Sequence, residues 1–177
     1  MFPLKAVREQ ALAISVHKFK DQFGPVALVQ SPAEPVLRRS AMLLATAQTI
    51  GVTDPGRVGH RLLVLMGSFD GLSVQFLNPG RDGTQFTVGR LPECDVAIAD
   101  PSVSKRHATL KWDAARGGCT VRDEGSTNGT FAGASRLGSE EAALLDGDAL
   151  GFGDAQFLYI LTETLYEKLR VSRFGYG

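Results

Sequence analysis

The hydrophobic pattern of the chain changes character twice. Between residues 62 and 161, apolar positions come in short or alternating runs broken by turn residues. The breaks recur roughly every eight to twelve positions, the spacing of short strands in a sandwich or barrel. Strands are predicted at Leu62 to Met66, Val74 to Phe76, Gln85 to Val88, Val96 to Ile98, Cys119 to Arg122, Leu150 to Phe152 and Phe157 to Leu161. Asp70-Gly71, Asn78-Pro79-Gly80, Asp82-Gly83, Arg116-Gly117-Gly118 and Asp146-Gly147-Asp148 supply turns. Ala108, Leu110 and Trp112 share one face of a further strand, with Thr109 and Lys111 on the other.

Outside this region the period lengthens. Leu4, Val7, Ala11 and Ile14 recur at three- and four-residue steps, which predicts an amphipathic helix. Gly24-Pro25 ends it, and Val26 to Val29 reads as a short strand. Leu37, Ala41, Leu44 and Gln48 mark a second helix with Pro35 near its start, closed by Gly51 and the Asp54-Pro55-Gly56 turn. After Leu161, Leu165 and Leu169 follow at four-residue steps, and Thr164 with Glu167 has capping-box spacing. A C-terminal helix over 162–171, packed back on the β region, is predicted. Three parts result: an α or α+β N-terminal extension (1–60), a β domain (61–162), and a helix and tail (163–177).

Composition narrows the function classes. The 177 residues are 44% hydrophobic and 21% charged, ordinary for a globular chain. Nineteen basic residues balance nineteen acidic ones, which argues against nucleic acid or an anionic membrane as partner. Cys94 and Cys119 have no metal-ligand spacing and read as structural thiols of a reducing compartment. No apolar run approaches the roughly 20 residues of a membrane span, and the N-terminus lacks a secretory pattern, so a cytoplasmic location is expected.

Three clusters carry chemistry: Val88-Gly89-Arg90, Val103 to Ala108, and Asp123 to Thr130. They fall at strand ends and in loops, and are rich in guanidinium, hydroxyl, amide and backbone N–H donors. Such donors suit a phosphate dianion with its three acceptor oxygens. In order and spacing, Gly89-Arg90, Ser104-x-x-His107 and Ser126-Thr127-Asn128-Gly129-Thr130 resemble the signature of the forkhead-associated (FHA) domain, in its bacterial form. Glu93-Cys94-Asp95-Val96 and Leu145-Asp146-Gly147-Asp148 resemble turns of the same family, over residues 62 to 161.

The resemblance implies a mainly β fold, an FHA-type sandwich of two antiparallel sheets. It implies a non-catalytic module that binds phosphothreonine on a protein or peptide, such as a Ser/Thr kinase or its substrate, without cofactor or metal. By position, Arg90 and Ser104 resemble the direct phosphate ligands, and Lys105 and Thr127 further phosphate contacts. Asn128 resembles the residue that holds the peptide backbone. Gly89, His107 and Gly129 resemble residues that shape the loops, with His107 as a buried brace. A small pocket for the threonine γ-methyl would favour phosphothreonine over phosphoserine.

Departures are visible too. Ala132-Gly133-Ala134 stands where the family often has Asn-Gly. Glu124 brings a negative charge to the loop, and Ser102 offers no charge for reading a peptide side chain. Catalysis finds no support in His17, His60 and His107, which lie in unrelated contexts, and Walker, HExxH and Gly-x-Ser-x-Gly motifs are missing. The competing reading is a phosphate-independent scaffold for secretion or assembly, which would tend to lose the phosphate ligands. Residues 1–60 are candidates for self-association or a second partner.

Overall fold

In a computed structural model, residues 1–30, 72–79 and 83–171 are described. The predicted helix around Leu37 to Gln48, the turn at 54–56 and the strand at Leu62 to Met66 lie outside them.

The chain opens with a two-residue strand, β1 (Phe2–Pro3), and two helices, α1 (Leu4–Ala13) and α2 (Val16–Phe23), before β2 (Val26–Gln30). Next come β3 (Ser73–Leu77), β4 (Gln85–Gly89), β5 (Val96–Ala97), β6 (Ala108–Asp113) and β7 (Gly118–Asp123). Then follow β8 (Thr130–Ala132), β9 (Ser135–Arg136), β10 (Ala142–Ala143), β11 (Ala149–Phe152), β12 (Ala155–Leu161) and α3 (Thr162–Val171). One sheet has the order β1-β3-β2-β12-β11-β8-β9 and the other β10-β7-β6-β4-β5. The pairs are antiparallel except β4 with β5. The expected two-sheet sandwich is present.

Core packing explains two contrasting sequence textures. In β6, Ala108 and Leu110 are buried while Lys111 is exposed, because only one face of its sheet is covered. In β12 both faces are covered: Phe157 and Tyr159 point between the sheets, Leu158 and Ile160 into a second core under the helices. β2 behaves alike, with Val26 and Leu28 on the inner side and Ala27 and Val29 on the outer. A strand covered twice reads as an unbroken apolar run.

The second core holds Leu4, Val7 and Ala11 of α1, Phe19 and Phe23 of α2, and Leu165, Tyr166 and Leu169 of α3. Phe19 meets Phe23, Phe76 and Tyr166 at ring-centroid distances of 4.7, 6.1 and 5.4 Å. α3 also serves the end of α1, where backbone carbonyls lack helical partners. Tyr166 Oη donates to Ile14 O (2.9 Å) and Arg170 Nη1 to Ala11 O (3.1 Å). Both cysteines are buried and unpaired, and burial pushes the Cys119 thiol up to about 11, which makes it inert.

Two expectations need correction. The division at residue 60 fails, because β2 is an inner strand of the sandwich, paired with β12 on one side and β3 on the other. The capping box also fails: Thr164 Oγ1 donates to Asp146 Oδ2 at 2.6 Å, and Asp146 Oδ1 accepts from Leu161 N–H at 2.7 Å. The helix itself spans Thr162–Val171 as predicted, so Thr164 lies inside its first turn, and the nearby Asp146 competes successfully for the hydroxyl.

A chain beginning at residue 61 therefore strips β3 and β12 of their shared neighbour and both cores of β2 side chains. It should show no cooperative thermal transition by circular dichroism, whereas the full chain unfolds cooperatively.

Candidate functional site

Four connections gather at one end of the sandwich: residues 90–95, 98–107, 124–129 and the 153–154 turn. Backbone hydrogen bonds set the first two against each other. Arg90 N–H donates to Ser104 O (2.9 Å), Leu91 N–H to Lys105 O (3.3 Å), and His107 N–H to Val88 O (2.8 Å). Gly89 permits this approach. A Cβ there would collide with the Lys105 carbonyl oxygen, which is backbone and has no room to yield.

His107 joins the second connection to the third. It is fully buried, and its Nδ1 accepts from Ser104 N–H at 3.0 Å. Its Nε2 lies 3.0 Å from Gly129 O, so the ring is the neutral tautomer that donates from Nε2. Burial pushes its pKa below the ordinary histidine value, against the opposing pull of the Gly129 carbonyl and Asp123. Gly129 adopts φ +88°.

Asp123 organises the third connection from within. Its Oδ2 accepts from Gly125 N–H and Ser126 N–H, both at 2.9 Å. Its Oδ1 accepts from the hydroxyls of Ser126 and Thr130, both at 2.6 Å. Burial alone would raise its pKa, but these donors outweigh it and hold the carboxyl below its usual range. Ser126 Oγ in turn accepts from Gly129 N–H at 3.0 Å. Sequence reading gave Asp123, Ser126 and Thr130 no separate task. The available signal was the Asp-x-Gly-Ser spacing, in which an aspartate caps N–H groups two and three residues on.

Ser102 is a second organiser. Its hydroxyl donates to Asp100 Oδ1 (2.6 Å) and accepts from Asp154 N–H (2.8 Å). Its carbonyl accepts from Asn128 Nδ2 at 2.7 Å. The position thus serves loop architecture. Glu124 is also turned away from the loop: Arg122 Nη2 and Nε reach its Oε1 at 2.8 and 3.1 Å, and Thr109 Oγ1 at 2.7 Å. The Thr109 hydroxyl first, then Arg122, hold Glu124 below the usual carboxylate range. Its charge is neutralised on the outer sheet face.

Five predicted contact residues remain, all on this end. Arg90 donates from Nε to Val103 O (3.2 Å), which steadies the guanidinium and leaves its terminal nitrogens without partners among the described residues. Ser104 Oγ accepts from Thr127 N–H at 3.0 Å and lies 3.5 Å from Thr127 Oγ1, so two hydroxyls from different connections meet. Asn128 is exposed beside them. Lys105 and Arg106 are exposed cations without ion pairs among the described residues. A fork of free N–H groups, paired hydroxyls and surrounding positive charge can hold a tetrahedral dianion. Among the described residues, no group of side chains could hold a metal ion, and no helix is long and apolar enough to cross a membrane.

This fold and loop set define a phosphate-competent sandwich module, and residues 86–153 match the FHA domain family model. An oxoglutarate dehydrogenase inhibitor of Corynebacterium diphtheriae is 35% identical over 116 residues, covering 66% of this chain and 74% of the relative. The chain belongs to the FHA domain family. Among solved structures, the FHA domain of an Arabidopsis thaliana hypothetical protein is 28% identical with a TM-score of 0.45, over 52% of this chain and 75% of that one. Mycobacterium tuberculosis EmbR, solved with a low-affinity phosphopeptide, is 26% identical with a TM-score of 0.40, over 44% of this chain and 20% of that one.

The His107 geometry has a pH signature. The unfolded chain protonates this histidine near pH 6.5, whereas the fold keeps it neutral to lower pH. As pH falls, the unfolded state takes up the proton first, so stability is full above about pH 6.5 and declines below it. Wild-type melting temperature should fall between about pH 7 and about pH 5.5. His107→Ala should cost about 2–4 kcal/mol at neutral pH and lack most of that acid-side slope. A pH-independent wild-type melting temperature over this range contradicts the doubly bonded neutral ring.

Proposed function

We propose that this chain is a phosphothreonine-dependent interaction module that recruits Thr-phosphorylated proteins, a kinase or its substrate among them, in kinase signalling. The observation that carries the reading is the state of Arg90. Its guanidinium is steadied through Nε alone, with its terminal nitrogens open, beside the Ser104 and Thr127 hydroxyls. Structural arginines of this chain are used differently; Arg122 spends two nitrogens on Glu124. Arg90 and Ser104 supply the phosphate contacts, with Thr127 and Lys105 adding to them, and Asn128 holds the peptide backbone. Gly89, His107 and Gly129 keep the loops in register. Membership of the FHA family supports the same assignment. A phosphate-independent scaffold would have no use for this donor set.

A phosphothreonine peptide should bind the full chain, and its unphosphorylated twin should not. Each charge-assisted hydrogen bond is worth roughly 1.5–3 kcal/mol, so Arg90→Ala should weaken phosphopeptide binding by about tenfold or more. Isothermal titration of both peptides, with a phosphoserine version as third ligand, measures this. Equal affinity of wild type and Arg90→Ala rules the proposal out.

A further inference from the structure

We infer that Arg136 is a specificity-determining residue that reads an anionic side chain flanking the phosphothreonine; this rests on the function proposed above. Arg136 lies in β9 opposite Phe131 of β8, in the hairpin that directly follows the 124–129 connection. Its guanidinium is laid against Gly129: a Cβ built on that glycine would fall 2.5 Å from Nε and 3.1 Å from Cζ and Nη2. The positive φ is what calls for glycine at 129, and the bare backbone there leaves room for the planar cation to lie against it. The next residue along is Asn128, the proposed backbone clamp.

Arg136 is exposed, and among the described residues its side chain makes no hydrogen bond or ion pair. Several other cations are committed. Lys20 pairs with Glu163, Lys111 with Glu141, and Arg170 donates to Ala11 O. A guanidinium parked beside the binding loop, without a protein acceptor, has its fork available to a ligand. That fork matches a carboxylate or a second phosphate. The Asn128 side chain reaches the other way, across to Ser102 O, so Arg136 stands on one flank of the binding loop only. An anionic residue should therefore help on one side of the phosphothreonine only.

The test uses the full chain and a phosphothreonine peptide with neutral flanks. Companion peptides carry one aspartate, placed in turn at each flanking position, or a phosphoserine at the same positions. For wild type, aspartate at one position should tighten binding about three- to fivefold, the range of an exposed ion pair, and the gain should shrink in high salt. Phosphoserine at that position exceeds aspartate if the natural ligand is doubly phosphorylated, and merely matches it if the ligand is acidic. Arg136→Met, which keeps apolar cover over Gly129, should bind the neutral and aspartate peptides equally. Arg136→Glu should reverse the preference toward a lysine at that position. A gain that survives in Arg136→Met overturns the inference, as does a wild type that binds the neutral phosphopeptide without gain from any anion. Failure of wild type to bind any phosphothreonine peptide overturns the proposed function and this inference together.

Discussion

The binding end of the molecule depends on one neutral imidazole. His107 accepts from Ser104 N–H and donates to the Gly129 carbonyl, and no other side chain of its size offers both roles on opposite edges. Ser104 belongs to the connection between two strands of the five-stranded sheet, while Gly129 leads into β8 of the other sheet. The ring also packs edge-on against Phe152 at 5.8 Å, inside the core. It is therefore a bolt through the junction of the two sheets. Without it Ser104 N–H would lose its partner, at roughly 1–3 kcal/mol, while Gly129 O would keep the Gly153 N–H at 3.0 Å.

Around this bolt the loop residues divide into those that hold and those that remain available. Asp123, Ser126, Thr130 and Ser102 use their polar atoms on one another and on loop backbone. Arg90, Lys105 and Asn128 keep donors facing solvent. Such a division lowers the ordering cost of binding, because the scaffold is set before a ligand arrives. Electrostatics follow the same plan. The chain is neutral overall, yet Arg90, Lys105, Arg106 and Arg136 stand at this end without acidic partners among the described residues. Two carboxylates at the start of the 124–129 connection, Asp123 and Glu124, are absorbed by hydroxyls, N–H groups and Arg122.

Much of the fold was legible because its strands announce their surroundings. The alternation in β6 reported a half-covered sheet, and the ordered Gly-Arg, Ser-x-x-His and Ser-Thr-Asn-Gly-Thr clusters marked loops that the structure brings to one end. Less legible were features decided by contacts distant in sequence. The apolar run Val26 to Val29 showed a strand, but not that β12, more than half the chain away, would take it as a neighbour. Thr164 had a plausible local partner in Glu167, and a remote aspartate displaced it. Arg136 carried no signal at all, because its interest lies in where a hairpin places it. Pairing across long separations is what a local pattern does not encode.

The pairing of β2 with β3 has a consequence for how this chain can vary. Gln30 faces Ser73, and Gln30 also faces Phe157, two residues beyond the start of β12. Pairing of β2 with both β12 and β3 thus fixes both ends of the intervening stretch. Closing a chain segment between anchored ends costs entropy only logarithmically, about 0.6 kcal/mol for each doubling of length. By that rule a change in the number of residues between Gln30 and Leu72 adds little closure entropy and leaves the register of β2 and β3 unchanged.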